Sequence, residues 1–161
     1  MPDPVLVAVI VGSASDAEQI AGCRQALGRL GIGHEARVIS AHRTPDELAE
    51  YLDGLEDRGI QLVIAAAGMA AHLAGVAASH TTLPVLGVPM ASGALQGIDA
   101  LLSTVQMPPG VPVATLGIGS PGGKNAAYFA ARILALSHPK LKTRLEQVLE
   151  EDREKVRGAE I

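Results

Sequence analysis

Short apolar runs alternate with longer helix-like stretches along almost the whole of this chain, and few folds accept that rhythm. Residues 5–11, Val-Leu-Val-Ala-Val-Ile-Val, are continuously apolar and rich in β-branched side chains, the pattern of a strand covered on both faces. A helical pattern runs from Ser15 to about Leu30, opened by a Ser15-x-x-Glu18 capping box and stopped by Gly31. The next strand spans about 33–39, where Ala36 and Val38 alternate with charged residues as on an edge. A helix over 44–57 follows, with Thr44 as N-cap, Pro45 at the first helical position and Glu47 completing a second capping box. Further strands are expected over 61–66, 84–88 and 112–118, and helices over 70–79, 94–104 and 125–136. Pro139 opens a last, highly charged helix running to about 157. Such alternation implies an α/β fold: a central parallel sheet, right-handed crossovers and helices on both faces. The 161 residues form one domain, with the final helix as an appendage docking on the domain or on a neighbouring subunit.

In a sheet of this kind ligands bind at the carboxyl ends of the strands, near a reversal of strand order. The loops at 12–16, 40–45 and 68–75 all follow strands, so they converge on that edge. Gly12-Ser13-Ala14-Ser15-Asp16 offers hydroxyls and backbone N–H groups suited to phosphate or ribose, with Ser15 capping the helix and Ser13 and Asp16 free for a ligand. Ser40-Ala41-His42-Arg43 sets a hydroxyl, a proton-transferring imidazole and an anion-gripping guanidinium side by side. His72 stands among Gly68, Ala70 and Ala71, small residues that let a ligand approach the backbone; a lone imidazole there is otherwise satisfied by a nearby carbonyl. His34, His80 and His138 read as surface or structural.

Composition narrows the function. The net charge is -4, from 13 basic and 17 acidic residues, and two Tyr, one Phe and no Trp leave little to stack on bases. Nucleic acid is therefore not an expected partner, which leaves open a single nucleotide, whose phosphate backbone amides and one Arg can bind. No apolar run approaches the roughly 20 residues of a membrane span. Met-Pro-Asp-Pro ahead of the first run does not make a signal peptide. Cys23 is the only cysteine, which fits a reducing cytoplasm, and it reads as a packing residue. No His-x-His, His-Glu-x-x-His or cysteine pair points to a metal, and no Gly-x-Ser-x-Gly to a serine nucleophile. Gly117, Gly119 and Gly122 spell Gly-x-Gly-x-x-Gly, but no strand follows to bring an acidic residue to a ribose, so they read as a loop on the ligand edge. From Gly59 to Ser137 the only charged residues are Asp99, Lys124 and Arg132, which implies surface buried between subunits.

Together these segments closely resemble the PurE family of purine biosynthesis, which comprises N5-carboxyaminoimidazole ribonucleotide mutases and aminoimidazole ribonucleotide carboxylases. The resemblance is carried by Gly-Ser-x-Ser-Asp at 12–16, Ser-Ala-His-Arg-Thr-Pro at 40–45, Ala-Ala-His-Leu at 70–73, Pro-Val-Leu-Gly-Val-Pro at 84–89, Leu-Ser-Thr-Val-Gln-Met-Pro at 102–108 and Asn-Ala-Ala at 125–127. It implies a flavodoxin-like three-layer αβα sandwich assembled as a homo-octamer, with active sites at subunit contacts. It further implies substrate binding through Ser13, Ser15, Asp16 and Arg43, with His42 transferring protons and Ser40, Gly68 and His72 nearby, and no metal, cofactor or ATP. The implied reaction moves a carboxylate from an exocyclic nitrogen to the adjacent ring carbon. Direct carboxylation by carbon dioxide is the alternative, and a non-catalytic ribonucleotide-binding module the alternative of another class. Family members that carboxylate directly tend to lack the Arg of the His-Arg pair and the Ala-Ala-His-Leu run, both of which this chain keeps. It departs from the usual Gly-Gly-Ala-Ala-His-Leu-Pro-Gly at two places, Met69 and Ala74.

Overall fold

The computed structural model describes residues 4–159. In chain order these form β1 (Val5–Val11), α1 (Ala14–Gln19), α2 (Ala21–Arg29), β2 (Gly33–Val38), α3 (Pro45–Asp53), β3 (Leu62–Gly68) and α4 (Leu73–His80). They continue with β4 (Val85–Met90), α5 (Ile98–Val105), β5 (Ala114–Thr115), α6 (Gly119–Leu134) and α7 (Pro139–Arg157). The strands make one parallel sheet in the order β2-β1-β3-β4-β5, the flavodoxin-like order.

Period-2 alternation sends the side chains of one strand to two cores. Val7, Val9 and Val11 of β1 join Leu62, Ile64, Leu86 and Val88 beneath α2 and α6, while Ala8 and Ile10 join Val63, Ala65 and Leu48 beneath α3 and α4. From Leu6 to Val11 β1 is buried on both faces, as its continuous apolar run anticipates. Registers are level at the carboxyl edge: Val11 pairs with both Val38 and Ala66, and Gly68 pairs with Met90. The loops that leave β1, β2, β3 and β4 therefore emerge side by side.

Several local expectations are corrected. The first helical stretch is broken at Ile20, which caps α1 and opens α2. Its N-cap is Ser13 rather than Ser15: the Ser13 hydroxyl accepts from the Asp16 N–H at 3.4 Å and donates to the Asp16 carboxylate at 2.8 Å. The helix after Pro45 ends at Asp53, and a short 3-10 turn at Glu56–Arg58 completes the segment before Gly59 (φ 81). Thr44 is its N-cap, but the capping box with Glu47 does not form, because the Thr44 hydroxyl is turned back onto Ser40. The Gly-rich segment after β5 is the first turn of α6 rather than a loop. A Cβ on Gly122 would stand 1.6 Å from the Gly117 carbonyl oxygen, so glycine is what lets the helix start this close to the preceding chain. Strand β2 does stand at the edge of the sheet, with Ala36 and Val38 exposed. The Tyr51 hydroxyl donates to its Glu35 at 2.5 Å, and Arg58 pairs with the same carboxylate at 3.0 Å.

Helix α7 packs on its own domain through buried Leu145 and Val148, which belong to the core beneath α6. Arg29 reaches Glu151 at 2.8 Å and Asp152 at 2.7 Å, and the Tyr128 hydroxyl donates to Asp152 at 2.8 Å. Among the described residues no helix is long and apolar enough to cross a membrane. Cys23 is buried, and that burial pushes its thiol up to about 12, as suits a packing residue.

Candidate active site

Strand order reverses beside β1: the chain leaves it for β2 on one side and returns to β3 on the other. The crevice at the carboxyl ends of β1 and β3 is thus where a doubly wound sheet offers a ligand site. A cleft of about 450 Å³ lies there, within the range of small-molecule sites. Its walls include Ser13, Ser15, Asp16, Ser40, His42, Arg43, Gly68 and His72, so every residue singled out from the sequence lines it. A larger cavity, about 840 Å³, opens at the opposite edge by the amino ends of β4 and β5. Its walls are mostly aliphatic and threonine side chains with His80 and Glu56, and none of the convergent loops reaches it.

The loop after β2 is closed by its own residues. The Ser40 N–H donates to the Thr44 hydroxyl at 3.1 Å, which donates back to the Ser40 carbonyl at 3.2 Å. The Thr44 N–H donates to that carbonyl at 2.9 Å, and the Arg43 N–H donates to the Ser40 hydroxyl at 3.1 Å. Ser40 is therefore a brace for the loop, and its fixed shape presents His42 and Arg43 outward. The Arg43 guanidinium spends one donor on the Gly12 carbonyl at 3.3 Å, tying the second loop to the first and leaving its other N–H groups for an anion.

The β1 loop puts a buried carboxylate, Asp16, behind two hydroxyls. Ser13 and Ser15 lie 2.8 Å apart, and Ser13 also holds Asp16. Helix α1 has only six residues, so an anion here depends on these hydroxyls and Arg43 more than on a helix dipole.

The β3 loop supplies the second imidazole. His72 Nδ1 lies 2.5 Å from His42 Nε2, and the two rings meet edge to face with centroids 4.8 Å apart. Such a contact requires one nitrogen to carry the proton and the other to accept it, so the pair holds it only while at least one ring is neutral. His72 is thus engaged by His42 rather than by a local carbonyl. The loop is held from outside, by the Ser103 hydroxyl of α5 accepting from the Ala71 N–H at 3.0 Å.

Two contributors escaped the sequence reading. Ser92 lines the cleft from the β4 loop and crowds the end of β3, since a Cβ on Gly68 would lie 2.3 Å from its Oγ. The rule that selected the other loops, position after a strand, also selects Ala91-Ser92-Gly93. Ser103 sits on a helix and acts through Ala71, so its place in the 102–108 motif marks it but nothing local ties it to the cleft. Among the described residues no three His, Cys, Asp or Glu side chains gather as a metal site would require.

The doubly wound α/β domain carries paired imidazoles, an arginine and a serine-flanked carboxylate in its switch-point crevice, where folds of this class bind small molecules. Residues 6–155 match the family described as AIR carboxylase, and the chain belongs to that family, the PurE proteins. It is 53% identical over 142 residues to the N5-carboxyaminoimidazole ribonucleotide mutase of Pseudomonas aeruginosa, covering 88% of this chain and 87% of that protein. The corresponding enzyme of Saccharolobus solfataricus is 51% identical over 150 residues, covering 93% of this chain and 94% of that one. A crystal structure of Treponema denticola PurE superposes with a TM-score of 0.84 at 29% identity, covering 94% of this chain and 93% of that one.

Proposed function

We infer that this protein is an N5-carboxyaminoimidazole ribonucleotide mutase, moving a carboxylate from the exocyclic nitrogen of the ribonucleotide to the adjacent ring carbon. The observation that supports the site assignment is the His42–His72 contact, two imidazoles held together in the crevice where the β2 and β3 loops meet. His42 as imidazolium protonates the carbamate nitrogen, the N–C bond breaks and carbon dioxide leaves. The ring carbon then attacks the carbon dioxide, and its proton passes to the now neutral His42, restoring aromaticity and the imidazolium. The reaction balances within substrate and enzyme, so the reading includes no metal, nucleotide cofactor or ATP. An imidazole, which can both give and take a proton, suits both transfers.

The binding loops divide the rest of the substrate by chemistry. The Asp16 carboxylate accepts from ribose hydroxyls, while Arg43 with Ser13 and Ser15 suits the phosphate. Gly68, Ala70 and Ala71 leave space beside the imidazoles for the migrating carboxylate, and Ser40 and His72 hold the pair in place.

Assembly is part of this reading. Ile98, Leu102 and Val105 lie three and four residues apart on α5 and are each about half exposed, with Leu95 in the preceding loop. This apolar stripe adjoins the loop that Ser103 anchors, and it supports a homo-oligomer, an octamer by family resemblance, whose contacts border the cleft. A cytoplasmic protein without nucleic-acid or membrane partners completes the proposal, supported by the negative net charge and the scarcity of aromatics.

Carbon-13 tracing tests it. Substrate labelled in the carbamate carboxylate is supplied in unlabelled bicarbonate, and a second tube holds aminoimidazole ribonucleotide plus bicarbonate. Label retained in the ring-attached carboxylate is the expected result. Efficient product formation only in the second tube identifies a direct carboxylase, and binding without turnover in either tube identifies a binding module.

A further inference from the structure

The backbone that carries His72 is held at two points of unlike origin. On its carboxyl side Leu73 opens α4 and is buried in the core beneath α3 and α4. On its amino side Ala71 is buried, and its N–H donates to the Ser103 hydroxyl at 3.0 Å. Between β3 and His72 the loop supports itself little. The Ala71 and His72 N–H groups reach only the carbonyls two residues back, at 2.9 and 2.8 Å, and Met69 stands at a positive φ of 54°, a region that disfavours a residue with a Cβ. His72 is the N-cap of α4 but makes no side-chain bond to that helix. Its imidazole is turned to His42 instead, so where it stands is set by the backbone on either side.

Ser103 is arranged to accept. A hydroxyl has one proton to give. Ser103 gives it inside α5, to the Asp99 carbonyl at 2.9 Å with the Ala100 carbonyl at 3.3 Å, and its lone pairs are left for the Ala71 N–H. Helix α5 is in turn seated by buried Ala100 and Thr104, so the acceptor rides on a packed element rather than on another loop. Without it the buried Ala71 N–H keeps only the tight turn to the Met69 carbonyl.

We propose that Ser103 is a positioning residue for the proton transfer: through the Ala71 N–H it fixes the backbone that sets His72 against His42. This rests on the mutase reading, in which His42 moves the proton. The two rings meet through one nitrogen each, edge to face, and such a contact has little tolerance for a shift of the His72 backbone. Misplacing a group by about 1 Å can cost about 10²-fold in rate. Ser103 lies outside the walls of the cleft, so its loss acts on the transfer and not on substrate binding.

Steady-state rates of ribonucleotide conversion, with melting temperature and hydrodynamic size, test this in the native protein, Ser103→Ala, Ser103→Thr, His72→Asn and the variant combining His72→Asn with Ser103→Ala. Ser103→Ala should lower kcat about tenfold and leave KM within about twofold of native. Ser103→Thr, which keeps the hydroxyl, should retain most of the native kcat. With His72 already replaced, removing Ser103 should lower kcat less than about twofold, because residues that act through one another do not add. Native kcat in Ser103→Ala, a loss confined to KM, equal impairment of the Ala and Thr variants, or the same fold-loss with and without His72 overturns the proposal. Should Ser103→Ala not fold, Ser103→Cys, whose sulfur is a weaker acceptor, takes its place with the same expected order. A native protein that converts no substrate overturns the mutase reading, and the positioning role falls with it.

Discussion

The two loops that meet at the paired imidazoles are built in opposite ways. Ser40–Thr44 closes on itself through four hydrogen bonds among its own residues and opens onto a helix at Pro45. The loop from Gly68 to His72 makes two tight backbone turns, Ala71 N–H to the Met69 carbonyl at 2.9 Å and His72 N–H to the Ala70 carbonyl at 2.8 Å, and is anchored by Ser103 of another helix. It also contains the strained Met69. One loop is rigid by its own chemistry and carries His42, the group proposed to transfer protons. The other is shaped by its neighbours and lines the space proposed for the migrating carboxylate. Precise proton transfer needs the first kind of support, and a compartment that admits and retains a small molecule needs the second.

The largest test of this division is His42→Asn. If the self-closed loop delivers the transferring group, turnover should fall by about 10²–10⁴-fold while substrate still binds, as loss of a general acid–base predicts. Rates near native in single-turnover measurements would remove His42 from the chemistry. Arg43→Ala, on the same loop, should instead weaken binding by about 1.5–3 kcal/mol with a smaller change in turnover, because it removes charge-assisted bonds to an anion. Calorimetric titration separates the two.

Support for the loops can be compared directly. Thr44→Val removes the two bonds of the Thr44 hydroxyl that help close the first loop and should cost about 1–3 kcal/mol by denaturant unfolding. Ser103→Ala removes one bond to the second loop and should cost about 1 kcal/mol, yet raise hydrogen exchange at Ala71 more than elsewhere. Equal protection changes in both loops would mean that they form one unit.

A region remote from both gives the smallest effect. Arg29 holds the Asp152 and Glu151 carboxyls below their ordinary range, with the Tyr128 hydroxyl adding to the effect at Asp152. A depressed folded-state pKa contributes stability that is present above the unfolded value and lost as pH falls through the folded one. Docking of α7 should therefore weaken as pH falls below about 4, where carboxylates ordinarily titrate. The groups are exposed, so the change is small. Hydrogen exchange of α7 in the native protein and in Arg29→Ala should converge at acid pH, whereas the catalytic loops should not differ between them.

The sequence by itself determined the alternation of strands and helices, the two-sided burial of most of β1 and which loops leave the carboxyl edge of the sheet. Those follow from local pattern: an apolar run of seven admits few alternatives, and position after a strand assigns a loop to the ligand edge. Cap chemistry was less legible. Ser13 and Ser15 are both competent caps, and only the folded loop gave the role to Ser13, coupling it to buried Asp16. Thr44 likewise turned from its helix to Ser40, a choice settled by competing hydrogen bonds that pattern does not rank. The first turn of α6 looked like a loop because glycine disfavours helix locally, and the close approach of Gly122 to Gly117 reversed that preference. What only tertiary structure decided is the pairing of His42 with His72, thirty residues apart in the chain, and the part played by Ser92 and Ser103. Distances between loops are set by strand order and register across the whole sheet, and no local stretch of sequence contains them.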